Sequence, residues 1–121
     1  MENLNEIADA VFLLAKNKGW HDNLNETEDQ FIERACNNLH DEISELHEAW
    51  RNNKLHENCD KSDKMADIGL MPLTCLEEEL ADIIIRVLDN ARRLKVDILS
   101  AVIRKHEYNK SRENRHGGKR S

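Results

Sequence analysis

Proline occurs once and glycine four times in 121 residues. The chain therefore lacks the punctuation that closely spaced strands and tight turns need, and amphipathic helices suit it better than a sandwich or a barrel. Cysteine is scarce and odd in number: Cys36, Cys59 and Cys75 show no CxxC spacing, which excludes a zinc knuckle and fits a reduced, cytoplasmic protein. The aromatic residues are Phe12, Trp20, Phe31, Trp50 and Tyr108, so the core must be lean and mostly aliphatic. A small chain with such a core is expected to assemble, as a homodimer or homotetramer. No N-terminal apolar run resembles a signal peptide, and aliphatic strings such as residues 83–85 are far too short to span a bilayer, so no membrane partner is expected.

What the chain has in quantity is charge. Charged residues make up 35% and hydrophobic ones 39%, with a net charge of −6. From Arg104 onward seven Lys/Arg stand against two Glu, a balance of +5, which leaves −11 for the rest. An acidic body with a basic end can hold a metal ion at one side of a site and phosphates at the other; the plainer reading is a solvated acidic surface with a disordered tail. Nucleic acid is disfavoured as a partner, because the body is acidic and the basic residues gather only at one end.

Length and pattern predict one all-α domain over residues 1–112, a four-helix bundle, followed by a flexible basic tail, 113–121. Ile7, Ala10, Val11 and Leu14 fall at helical spacing before Gly19, a C-terminal cap. Thr27 with Gln30 is a capping-box pattern that opens a long helix through Phe31, Ala35, Leu39, Ile43, Leu46 and Trp50. Trp50 lies on the Leu39–Leu46 stripe and reads as core. Residues 52–72 lose the periodicity, and so long a link is functional, mobile or hiding a short helix. Thr74 with Glu77 caps a third helix through Leu76, Leu80, Ile83, Val87 and Leu94, and a fourth is expected from about Ile98 to Lys110.

Two stretches on the second and third helices share one layout, "LHDEISEL" and "LEEELADI". At about 100° per residue, Glu42 lies about 60° to one side of Leu39 and Glu45 about 120°; Glu79 and Asp82 take the same offsets from Leu76. Each helix thus carries one acid at the core edge and a second one step further round. With these edges facing, four carboxylates converge and their repulsion grows as water is excluded, for which a hard divalent cation is the natural remedy. All-oxygen ligation with no nearby His or Cys favours Mg²⁺, with Mn²⁺ as a substitute, over zinc. Of the three consecutive glutamates, Glu77 serves the cap, Glu78 points to solvent and Glu79 joins the cluster. The alternative is that these acids simply reach for water.

In "RKHEYNKSRENRHGGKR", Lys105, Asn109 and Arg112 fall within about 60° of one another on the last helix. An ammonium, an amide and a guanidinium on one face suit several phosphate oxygens. In "HGGK" two glycines let a backbone lie close to an anion while His116 and Lys119 supply donors.

The segments "GWHDNLNETEDQFIERACNNLHDEISELHEAWR", "CLEEELADIIIRVLDNARRLKVDI" and "KHEYNKSRENRHGGK" together resemble the MazG-like nucleotide pyrophosphohydrolases of the all-α NTP pyrophosphatase superfamily, over residues 18–119 with one interruption. The matching signature is ExxE at Glu42/Glu45 and ExxD at Glu79/Asp82, with KxxxNxxR and HGGK behind it. The resemblance implies Mg²⁺-dependent hydrolysis of a nucleoside triphosphate to the monophosphate and pyrophosphate. It assigns Glu42, Glu45, Glu79 and Asp82 to the metal and Lys105, Asn109 and Arg112 to the phosphates; Glu45, on the outer edge of its pair, is the candidate base. Trp20 and His21 are candidates for contact with the nucleotide base. Three departures stand out: Asp41 where relatives carry glutamate, a longer gap between the acidic motifs, and Glu113 where relatives often read "RPYRHGGK".

Rival functions remain. A di-iron bundle wants ExxH on two helices, whereas the one ExxH here is Glu113 to His116. A helical adaptor would show no Mg²⁺ dependence, and a dUTP or phosphoribosyl-ATP pyrophosphohydrolase would share the metal logic with another base pocket.

Overall fold

Five helices follow one another in a computed structural model that describes residues 3–23 and 25–112: α1 (Leu4–Asn17), α2 (Glu28–Arg51), α3 (Ser62–Asp67), α4 (Cys75–Arg93) and α5 (Ile98–Ser111). Among the described residues there is no strand, and the β-type pairing found is one antiparallel bridge, Asn58 with Thr74. The expected all-α class holds. The fifth helix, α3, lies inside the link read as aperiodic; its six residues make under two turns, too few to print a helical repeat. The tail from 113 onward, with His116 and Lys119, lies outside the described residues.

The helix ends follow their local chemistry. Thr27 accepts from the Gln30 N–H at 3.1 Å while the Gln30 side chain accepts from the Thr27 N–H at 2.9 Å. Thr74 and Glu77 repeat this reciprocal pair at 3.1 and 2.9 Å, and the bonds to Thr74 hold the Glu77 carboxyl below its ordinary pKa. At the end of α1 the Gly19 N–H reaches Lys16 O and the Trp20 N–H reaches Ala15 O. Gly19 sits at φ +83°, a left-handed conformation that glycine adopts without a Cβ clash.

The chain divides into two units, with the boundary inside α4. One contains the residues up to Trp20 and those from Leu88 onward. In it α1 and α5 pack together over buried Ala8, Ala15, Leu88 and Ala91. Asn5 ties the start of α5 by accepting from the Leu99 N–H and donating to Asp97, and Arg92 pairs with Asp9.

The second unit, His21–Val87, contains α2, α3 and most of α4, and buries Phe31, Ala35, Cys59, Glu42 and Ser62. Here the link is stitched to α4. The Cys59 N–H reaches Leu73 O at 2.8 Å, the Cys75 N–H reaches Glu57 O at 2.8 Å, and the Leu76 N–H reaches Leu55 O at 2.9 Å. Ser62 adds a side-chain bond to Leu73 O.

The buried sides of α2 and α4 are not the ones that hydrophobicity predicts. On α2 the buried residues are Phe31, Ala35 and Glu42, a face centred about 60° from Leu39 toward the glutamates. Ile43 and Trp50, expected in the core, are 52% and 60% exposed, and the Trp50 ring stacks on His47 at 5.6 Å. On α4 the less exposed residues likewise include Glu79, Asp82 and Arg86, while Leu80 and Ile84 face out. Both helices are thus turned in the same sense, and the carboxylate edge becomes an interior. No described helix is long and apolar enough to cross a membrane.

Candidate metal centre

Glu42 is the most buried of the four paired acids, 9% exposed. One of its oxygens accepts from Arg86 Nε at 3.2 Å. The other, Oε2, is buried with no hydrogen-bond partner, and so is Oε2 of Glu79. Such atoms are rare in folded proteins because each has lost water and gained nothing in return. Glu45 completes a set in which one carboxylate oxygen from each of Glu42, Glu45 and Glu79 lies within 4.8 Å of the others. Three acids from two helices, one turn apart on α2, therefore converge, where the shared layout predicts four.

Asp82 is half-buried on the flank of this set and does not meet the same mutual distances. Its charge is nonetheless felt by Glu45 and Glu79. The electrostatic state of the group is that of acids held against their will. Burial, then the charges of Glu45 and Glu78, pushes the Glu79 carboxyl up to about 7. Burial followed by the Glu42 charge also raises Glu45 and Asp82, with Lys61 and Arg86 partly offsetting the rise at Asp82. Desolvation and like charge act in one direction here, and a bound cation reverses both effects. The donor set is all carboxylate, as hard divalent cations prefer.

Three charged residues around the cluster behave in ways the sequence pattern did not announce. Glu78, expected in solvent, is half-buried and pairs with Lys61 at 3.0 Å. It is drawn inward by the turn of α4 that also brings in Glu79. Lys61 comes from the link, and only the backbone ladder to α4 brings it here. Arg86 had a readable signal: it lies four residues after Asp82 and seven after Glu79, on their side of the helix.

The other residues singled out by sequence lie as follows. Lys105 and Asn109 line a shallow depression on α5 with Ala101, Val102 and His106. The Lys105 ammonium and the Arg112 guanidinium sit over the Tyr108 ring, at 4.9 and 5.7 Å. The Tyr108 ring thus gathers two of the five phosphate candidates. These residues belong to the unit of α1 and α5. Trp20 is 54% exposed, and His21 rests half-buried against Phe31 at 6.3 Å. No family model, no curated protein and no solved structure matches the chain.

Proposed function

We propose that this protein is a Mg²⁺-dependent nucleoside triphosphate pyrophosphohydrolase of the MazG-like kind, converting a ribo- or deoxyribonucleoside triphosphate to its monophosphate and pyrophosphate. The observation that carries the reading is the pair of buried carboxylate oxygens without partners, Glu42 Oε2 and Glu79 Oε2, inside a set of three converging acids. Glu42, Glu45, Glu79 and Asp82 would hold the cation, Mg²⁺ or Mn²⁺ in its stead. A divalent ion bound there supplies charge neutralisation for the polyphosphate and a lowered pKa for an attacking water.

The chain's own residues do the rest. Glu45 is the exposed member of the three, the one that water reaches most readily, and it takes the proton of the attacking water. Arg86 orients Glu42 through its 3.2 Å bond. Lys105, Asn109 and Arg112, with His116 and Lys119 of the tail, pair with phosphate oxygens, and Trp20 and His21 contact the base. The working form is a homodimer or homotetramer, supported by the many large apolar side chains left exposed on a single chain.

The test is to incubate the protein with Mg²⁺ and a panel of canonical and modified nucleoside triphosphates and to separate the products. Monophosphate with pyrophosphate is expected, and none after EDTA. Diphosphate with phosphate, or turnover indifferent to EDTA, would sink the mechanism.

A further inference from the structure

Beside the three acids lies a cleft of about 510 Å³, bounded by Glu45 and Glu79 on one part of its wall and by Lys54, Asp60 and Lys61 of the link on another. Its volume falls in the range of small-molecule sites, roughly 300–1,000 Å³. Half of the lining residues are acidic, and Lys54 and Lys61 are its two cations. Lys61 is the one held toward the acids. Its ammonium lies 2.9 Å from Asp60 and 3.0 Å from Glu78, and its charge is felt at Asp82.

The position is built. The bonds between Cys59 and Leu73 and between Cys75 and Glu57 fix the segment before α3 to the start of α4, while Cys59 and Ser62 are buried under it. Lys61 stands between these two anchors. Its two partners differ: the Glu78 side chain is 12% exposed and that of Asp60 87%. The inner pair is sheltered, whereas the outer one is open to water and weakly held. A phosphate oxygen entering the cleft offers a charge-assisted bond that a solvated carboxylate is poorly placed to match.

We infer that Lys61 is a polyphosphate-positioning residue: with nucleotide in the cleft, its ammonium exchanges Asp60 for non-bridging phosphate oxygens and stays anchored on Glu78. This rests on the hydrolase reading above and extends it, since it makes the link between α2 and α4 one wall of the substrate site. The phosphate chain then lies between the acid cluster and the link, with its α–β bond turned toward Glu45.

The test compares wild type, Lys61→Ala and Lys61→Arg. Binding of inorganic tripolyphosphate in the presence of Mg²⁺, binding of Mg²⁺ alone, and steady-state kinetics with the preferred nucleotide are measured. Loss of one charge-assisted bond is expected to weaken tripolyphosphate binding by Lys61→Ala about 10- to 100-fold and to raise KM more than it lowers kcat. Mg²⁺ binding stays intact, and Lys61→Arg recovers most of the loss. If wild type turns over nucleotide and Lys61→Ala matches it in KM and tripolyphosphate affinity, losing only thermal stability, Lys61 is a structural ion pair and the inference falls alone. If wild type neither binds tripolyphosphate nor cleaves any nucleotide, both fall together.

Discussion

Glu42 gives one oxygen to Arg86 and leaves the other buried and unpaired. Its neighbours Glu45 and Glu79 carry raised pKa values, Glu79 at about 7 against an ordinary 4.5. The metal-free protein is therefore expected to lose stability with rising pH. The folded state holds the Glu79 proton more tightly than the unfolded chain does, so its contribution is complete below pH 4.5 and is lost as the pH passes through about 7. Urea titrations in EDTA between pH 5 and 7 would read this slope as roughly one proton per molecule, and Mg²⁺ should flatten it. For the same reason Glu79→Gln is expected to raise the Tm in EDTA at pH 8, by about 2–5 °C, while lowering metal affinity. Turnover is expected to vanish in Glu42→Gln and in Asp82→Asn with unchanged helix content by circular dichroism; activity retained in both would remove the metal assignment. The convergence of Glu42, Glu45 and Glu79 was legible from the paired spacings, whereas Asp82, expected with them, stays on the flank. The depth of the acids was not legible, because an apolar stripe counts every carboxylate as outward-facing and cannot register that these two helices turn their acids toward each other.

The elements themselves were readable where short-range chemistry decides. Thr27 with Gln30 and Thr74 with Glu77 announce their helix starts three residues apart, and each reciprocal bond forms. Gly19 marks the end of α1 by the backbone it adopts. Replacing Thr74 by Ala should cost about 1 kcal/mol, seen as a lower urea midpoint at unchanged m-value. The loss should also reach the link, because the Asn58–Thr74 bridge and its flanking bonds hold it to that end of α4. What stayed hidden was α3 and the fastening around it. Cys59 pairs with Leu73 and Leu55 with Leu76 through backbone groups alone, and backbone pairing at that separation leaves no periodic trace in the side chains. Lys61 and Glu78 meet through this fastening, which is why neither could be assigned from its position in the sequence.

Among the described residues the large apolar side chains that are buried are Phe31 and Leu88. Leu13, Ile43, Trp50, Ile84 and Ile103 among others stand more than half exposed, more than a stable solitary chain of this size ordinarily leaves uncovered. The few aromatics and the high charge already pointed to a lean core; that Ile43, Trp50 and Ile84 lie outside it follows from the same turn of α2 and α4 that buries the acids. A self-associating protein should show a Tm that rises with protein concentration, and light scattering after size-exclusion should give a dimer or tetramer mass. The account as a whole depends on that buried acidic face being a cation site, and Mn²⁺ titration followed by the EPR signal of the free ion tests it most directly. Wild type is expected to take up Mn²⁺, to release it to excess Mg²⁺, and to bind at least about tenfold more tightly than Glu42→Gln. A free-ion signal that wild type leaves unchanged, or uptake that Glu42→Gln matches, would contradict it.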